Sequence, residues 1–488
     1  MTSPFGWSWQ WMILVPMVPA LISCASPAPA QRARVAEAPD TWHGAKGVSG
    51  LTLSQAPAQR QARWWNAMGD PTLDGLIRQA QRHNPSIVSA LARTAEARAA
   101  VNQQRASAMP QASAAAEASR GNTASVNGET LSSAQVSLKL GWEIDLFGRL
   151  RYEEHAAQSR LEARESDAAL ALLTLEAQVA TSWADALACG QRERFRGDDV
   201  RSREETLSLT RERVRVGQLA PAEAARARSS LADARNALQT TQAECAAYLN
   251  ALVRLTGLAP SDLKAMLERR ALVAGNHRSL PQPLVLALPA RTLVEHPAIA
   301  AAARDADAAF DDLSATRAAR WPTLDLSALL GNNWIRTGQG TTSSGLSSWG
   351  LSMGLAVFDG GRQTALIERD EARYVQALQS LRNTVLVQVE AVENALARLG
   401  SAEQRGQSAR EGVDAASALL RASEASFGVG RSSLSDLEES RRTFNAAVLS
   451  QIAADLAQHQ AWIDLVKATG GALAPPEPAD AADPPRQP

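Results

Sequence analysis

The sequence predicts an internally duplicated, mixed α/β membrane protein with four membrane-length β-strands per chain set between very long helices. Three observations predict it. Landmarks of the first half recur in the second at one spacing, strand-patterned segments in each half flank polar loops, and proline-free helical stretches far exceed globular length. The 488 residues hold only 5% aromatics against 45% hydrophobic residues. Ala, Leu, Ser, Gln, Glu and Arg, mostly good helix formers, fill the long stretches. A formal net charge of −1 gives no electrostatic reason to expect a nucleic acid partner.

The N-terminus comes first. Trp11 to Ile22 is apolar but too short to span a bilayer. It ends in Leu21-Ile22-Ser23-Cys24, which resembles a bacterial lipobox, so residues 1–23 are expected to be a signal peptide and Cys24 the lipidated residue, anchored to membrane lipid. Met1 to Gln10 lacks the Lys or Arg usual in an export signal, and a chance cysteine in a hydrophobic leader is the bland alternative. Residues 24–60, rich in Ala and Pro at their start, read as a flexible tether.

The repeat follows. Asn84-Pro85 is echoed by His296-Pro297, Pro110 by Pro322, Val216-Gly217 by Val429-Gly430 and Thr256-Gly257 by Thr469-Gly470. The spacing is nearly constant at about 213 residues. The first unit spans 61–256, a connector 257–289, the second unit 290–469, and an Ala/Pro/Asp-rich tail expected to be disordered runs over 470–488.

Leu76 to Ala108 carries a helical pattern. Gln111 to Ser119 alternates, and after a Gly/Asn/Ser loop from Gly121 to Ser133 so do Val136, Leu138, Leu140, Trp142 and Ile144, which places strands within 111–145. The second unit repeats this over 323–358, with a loop from Gly338 to Ser348 and alternation through Leu351, Met353, Leu355 and Val357. Taken alone, these hairpins fit a soluble sheet equally well.

Arg151 to about Val214 has no proline and reads as one helix of about 60 residues, about 90 Å long. Ala222 to Leu255 returns. Arg362 to Phe427 and Ser433 to Lys467 form the second hairpin. The return helix and the pre-strand helix together match the long one, so stacking them beside it makes a rod of uniform height. Such rods must associate laterally. Four strands cannot close a membrane barrel, since the smallest have about eight, and an open edge is not tolerated in lipid.

Trp64-Trp65 with Gly69-Asp70-Pro71-Thr72-Leu73, then Trp142 through Arg149, Leu255 through Leu258 and Phe358-Asp359-Gly360-Gly361-Arg362 together resemble the TolC/OprM/NodT outer-membrane efflux family over nearly the whole mature chain. The resemblance implies a homotrimer with a shared 12-stranded β-barrel continued by a periplasmic α-helical barrel. It also implies a periplasmic membrane-fusion adaptor and an inner-membrane RND-type pump as partners, in an exit duct for drugs or other small molecules. Leu293-Val294-Glu295-His296-Pro297 departs from the family's usual Arg-x-Asp before the proline, which is expected to weaken a local packing or capping contact.

In the same light, Asp436 and Glu439, with Arg431, match the segment that narrows the closed periplasmic end; ordinary first-turn helix charge is the alternative. Arg213, Arg215, Gly217, Gly428 and Gly430 are candidate adaptor contacts, the glycines otherwise serving tight turns. Phe147-Gly148-Arg149 and Phe358 with Gly360-Gly361-Arg362 mark the strand-to-helix junctions and read as structural. Cys189 and Cys245 lie equally far from Gly217 on opposite arms of a hairpin, which permits a disulfide; otherwise they are two small packing residues.

No enzyme chemistry is visible. The six His are scattered, and no metal-ligand spacing, P-loop, Rossmann or Gly-x-Ser-x-Gly pattern occurs, so neither cofactor nor metal is expected. The competing reading is a structural or adhesive coiled-coil surface lipoprotein, which would show a sustained heptad seam.

Overall fold

The computed structural model of the protein describes residues 39, 41–54, 59–60, 63–122, 130–273, 284–287, 289–337 and 340–473. Cys24 and the leader lie outside them. A short lead carries β1 (Leu51–Ser54) and β2 (Gln59–Arg60). The first unit runs α1 (Pro71–His83), α2 (Pro85–Ser107), β3 (Gln111–Asn122), β4 (Thr130–Ile144), α3 (Arg149–Arg215) and α4 (Pro221–Thr256). A connector holds α5 (Pro260–Val273), β5 (Leu284–Ala287) and α6 (Pro289–Val294). The second unit runs α7 (Pro297–Ala318), β6 (Thr323–Thr337), β7 (Gly340–Gly354), α8 (Arg362–Gly428) and α9 (Leu434–Ala468), followed by β8 (Ala472–Leu473).

From α2 and α7 onward the two units match element for element. α3 and α8 are 67 residues each, about 100 Å long. α2 and α4 both pack along α3, as expected of two short helices sharing one long partner. The stretch expected as one helix over 76–108 is two. Asn84 takes an extended conformation and accepts from the Ser86 N–H at 3.0 Å, while Pro85 supplies no N–H to continue the ladder. His296 does the same for α7 through Nδ1, which accepts from the Ala298 N–H at 3.1 Å, so the cap survives the departure that was expected to weaken it.

β3, β4, β6 and β7 form one antiparallel sheet in that order. The strands are longer than the alternation suggested. The described residues of the Gly/Asn/Ser and Gly/Thr/Ser stretches expected as broad loops are paired, because Thr130 to Ser133 register against Ser119 to Asn122 and Gly340 to Ser348 against Leu329 to Thr337. At the other end, β7 stops at Gly354, so Leu355 and Val357 lie beyond the strand they were assigned to.

The main core lies where the lead, the connector and the middle of the long helices meet. Trp42, Trp64, Trp65, Trp183 and Trp462 are all nearly fully buried there. Each of three indole N–H groups reaches a carboxylate: Trp64 to Glu176 at 3.1 Å, Trp65 to Asp74 at 3.1 Å and Trp183 to Asp70 at 3.0 Å. Asp70 also caps α1 and accepts from Arg270 at 2.9 Å. Burial pushes its carboxyl up, but the Trp183 and Arg270 hydrogen bonds outweigh that and hold it below the usual carboxylate range.

Two expectations for the chain ends are corrected. Residues 41–54 are not a free tether. Trp42 is buried and donates to the Ala287 carbonyl at 3.0 Å, the His43 and Gly44 N–H groups bind Glu393, and β1 pairs in parallel with β5. The tail begins ordered, since Ala472 and Leu473 pair with β2. Composition hid both, because single tryptophans and backbone ladders do the anchoring.

His296 generates a pH prediction. Burial pushes its pKa down to about 4, against partial opposition from the Lys467 carbonyl. The unfolded chain, with a histidine near 6.5, therefore binds the extra proton between roughly pH 6.5 and 4. The stabilisation is complete above that window and falls by up to about 1.4 kcal/mol per pH unit within it. His296→Asn, which copies Asn84, should keep the cap and lower the loss of melting temperature between pH 7 and pH 5. An unchanged loss in the variant, measured by thermal unfolding in detergent, would show that His296 is not the titrating group.

Candidate functional site

The four-stranded sheet has one apolar and one polar face, and the register defines both. Residues directly opposite across a ladder share a face. One face collects Val136, Leu138, Leu140 and Trp142 with Leu324, Leu326, Leu330 and Trp334 and with Trp349, Leu351 and Met353, backed by alanines of β3. Most of these are well exposed, Trp349 to 82%. Asn332, Ser343 and Ser347 interrupt it, and its outer row, Arg120, Ser132, Arg336 and Thr341, is polar. The other face carries Gln111, Ser113, Glu117, Gln135, Lys139, Glu143, Asp325, Ser327, Asn333, Ser348 and Ser352, with Leu131, Leu329, Ile335 and Leu346 as its apolar interruptions. This is a wall suited to hydrocarbon on one side and water on the other. No helix among the described residues is long and apolar enough to cross a membrane.

Below the sheet the chain turns into the long helices at the expected junctions. Gly148 (φ 81°) and Gly361 (φ 89°) occupy the left-handed region at the N-caps of α3 and α8, which a side chain would strain. Asp145 accepts from the Arg151 N–H at 3.0 Å, and Asp359 from the Gly361 and Gln363 N–H groups at 3.0 and 2.8 Å. These carboxylates replace the side-chain caps that glycine cannot provide. Arg149 bridges Glu143 and Glu153, both at 2.7 Å, tying strand to helix, and the Arg362 N–H donates to the Asp359 carbonyl. Phe147 stacks on Trp321 with ring centroids 5.4 Å apart, whereas its counterpart Phe358 is 92% exposed.

At the far end lie the two hairpin tips. Gly217 (φ 78°) and Gly430 (φ 75°) make the turns, but Gly428 is an ordinary last residue of α8, not a left-handed turn glycine. Arg213 is committed to the second tip: its guanidinium lies 5.2 Å from the Phe427 ring centroid, and donates to the Gly428 carbonyl at 3.3 Å. Arg215 is exposed beside Glu212. The Arg431 backbone N–H closes the second turn on the Ser426 carbonyl. Asp436 completes a capping box with Ser433, whose hydroxyl and backbone N–H donate at 2.8 and 3.0 Å and hold its carboxyl below the usual range. Glu439 is 70% exposed beside Arg442, 3.2 Å away.

Between those two acids sits the residue that sequence reasoning passed over. Glu438 is buried and joins the two hairpins. It accepts from Arg203 of α3 at 2.5 Å, Ser230 of α4 at 2.7 Å and Arg441 of α9 at 3.2 Å. Arg203 also holds Asp199 at 3.1 Å, and Arg441 reaches Thr206 at 2.8 Å. Two arginines and two carboxylates make the cluster neutral. Helical spacing was the available signal: Glu438, Arg441 and Asn445 fall on the same side of α9 as Leu434 and Leu437, and all five are buried. Along the first hairpin, Cys189 and Cys245 form a disulfide with Cα atoms 5.4 Å apart.

The sequence profile of the outer membrane efflux protein family matches residues 76–258 and 288–471, one segment for each unit. The chain is 27% identical to the pyoverdine export outer membrane protein OpmQ of Pseudomonas aeruginosa over 86% of its length and 90% of that protein. It is 28% identical to nodulation protein T of Rhizobium leguminosarum bv. viciae, over 85% of each. Its fold matches that of the outer-membrane channel OprN with a TM-score of 0.75 at 24% identity, covering 86% of this chain and 94% of that one.

Removing one partner of the buried cluster strands opposite charges, a change that typically costs about 3–5 kcal/mol. Glu438→Ala should therefore loosen the tips without melting the tryptophan core. Amide hydrogen exchange is expected to rise in the peptides containing Arg203 and Arg441 and to stay unchanged around Trp64. Uniform acceleration along the chain would instead mean that the cluster supports the whole fold.

Proposed function

The chain belongs to the outer membrane efflux protein family, and we propose that three copies of it close into a single duct. Location in the outer membrane and a channel role in efflux come with that membership. Three four-stranded sheets make a 12-stranded barrel, apolar face outward and polar face toward the lumen. The helices continue it into the periplasm. An inner-membrane RND-type pump drives drugs or other small molecules through it by way of a periplasmic adaptor, while this chain supplies a passive passage. Cys24 anchors it to lipid. The competing coiled-coil lipoprotein has no use for a two-faced sheet.

One observation carries this reading: side chains covered within the chain have counterparts left more open at its outer edges. Phe147 stacks on Trp321 where the units meet and is 36% exposed, whereas its counterpart Phe358 is 92% exposed; Met109, the counterpart of Trp321, is as open as Trp321 itself, at 61% against 60%. Leu173 is buried, and its counterpart Leu386 is 48% exposed. A neighbouring copy that repeats the internal joint covers all of them. β3 and β7, the unpaired edges, meet in the same joint.

At the tips, Arg215, Gly217 and Gly430, with the exposed Val216 and Val429, form the adaptor-facing surface. Arg213 and Gly428 support it from behind. Asp436 and Glu439, with Arg431 beside them, line the closed periplasmic end as a ring of carboxylates, which concentrates cations and narrows the entrance. The proposed domain limits are 1–23 for a signal peptide, 24–60 for a lead whose residues 41–54 pack on the core, 61–256 and 290–469 for the two units, 257–289 for the connector and 470–488 for a tail that begins in β8.

A Met109→Cys/Phe358→Cys variant should cross-link into species of two and three chains on oxidation, with none larger. A ladder confined to monomers, from protein that remains folded, would remove the proposed joint. In planar bilayers the wild type should be mostly shut, and Glu439→Ala with Asp436→Asn should raise its open time several-fold while lowering its preference for cations. No conductance from either protein would count against the duct itself.

A further inference from the structure

We propose that Arg120 and Arg336 form a clamp on the outer rim of the sheet for the phosphomonoester headgroup of an outer-leaflet lipid, one clamp per chain. The inference rests on the reading of the apolar sheet face as the lipid-facing one. Arg120 registers opposite Ser132, and Ser132 opposite Arg336, so the two arginines share one row and one face. They stand two strands apart, about 10 Å between backbones, and both are exposed. That face is the apolar one. Directly beneath the row lie Ala118, Ala134 and Trp334, and below them the leucines.

The height fits a headgroup. From Leu324 to Trp334 the strand advances about 33 Å, and a tilt of about 40° reduces that to about 25 Å, the height of the apolar band of such barrels. The arginine row therefore falls one step outside the hydrocarbon, on the side away from the helices. Trp334 sits at the boundary, where aromatic side chains anchor. At the opposite end of the same face, Ile144, Leu324 and Met353 carry no charge, so the basic pair belongs to one leaflet.

The chemistry selects the lipid. Neither arginine has a carboxylate partner among the described residues. Two guanidinium forks in one row, with only the small Ser132 between them, suit an anion of two charges with several acceptor oxygens. A phosphomonoester carries about −1.5 to −2 at neutral pH, whereas the phosphodiester of an ordinary phospholipid carries one negative charge. The acyl chains of the same lipid would lie down the leucine and tryptophan face. A phosphorylated glycolipid supplies both parts.

Native mass spectrometry of the purified full-length protein in detergent tests this, with wild type compared with Arg120→Ala/Arg336→Ala. The probes are bisphosphorylated lipid A, the same lipid dephosphorylated, phosphatidylglycerol and inorganic phosphate. Wild type should retain lipid A at least tenfold better than the variant. Dephosphorylated lipid and phosphatidylglycerol should bind both proteins equally weakly, and inorganic phosphate should fail to displace lipid A. Equal lipid A retention by the two proteins, equal binding of phosphatidylglycerol and lipid A by wild type, or displacement by phosphate alone would overturn the clamp. Conductance of the variant separates the two readings: a variant that inserts and conducts leaves the duct intact whatever happens to lipid binding.

Discussion

The hydrogen-bonding needs of the backbone in hydrocarbon dictate the rest of this molecule. No water is available there to satisfy an open strand edge, so a sheet that spans lipid must close on itself. A sheet with only four strands cannot do so alone. That single shortfall explains why surfaces are left bare at the flanks, why the two units of the chain are so alike, and why the inner joint between them serves as a template for the outer one. The helices inherit the constraint, because each long helix follows its strand after a short connection that ends in a glycine with positive φ.

The charged groups divide along the same axis. Around the tryptophan core, carboxylates are taken up by indole N–H groups and by Arg270, which lets polar atoms be buried at little loss. At the tips, the buried cluster around Glu438 links α3, α4 and α9, while Asp436 and Glu439 remain at the surface. Neighbouring acids on one helix thus have opposite environments. Their roles follow from which side of α9 each one occupies.

The duplication, the long helices and the junction glycines could be read from spacing alone, since each depends on local chemistry repeated twice. Strand ends could not. Ser, Gly and Thr near the sheet rim look like loop residues, and only the ladder to the opposite strand makes them strand. Asn84 illustrates a different limit: the proline after it was visible, but that the asparagine would cap a new helix depended on its side chain finding Ser86. Glu438 was hidden because its partners come from another hairpin, far away in the sequence. Trp42 was hidden for the same reason.

The disulfide has a consequence for how the chain matures. Cys189 and Cys245 turn the first tip into a covalently closed ring, whereas the second hairpin carries Ala402 and Gln458 at the corresponding heights. Thiols stay reduced in the cytoplasm and become oxidised beyond the inner membrane. A newly translocated copy therefore arrives with neither hairpin cross-linked, and oxidation closes only the first. Lateral freedom in the finished molecule is then unevenly shared, one arm fixed by a bond and the other held by contacts that can be remade.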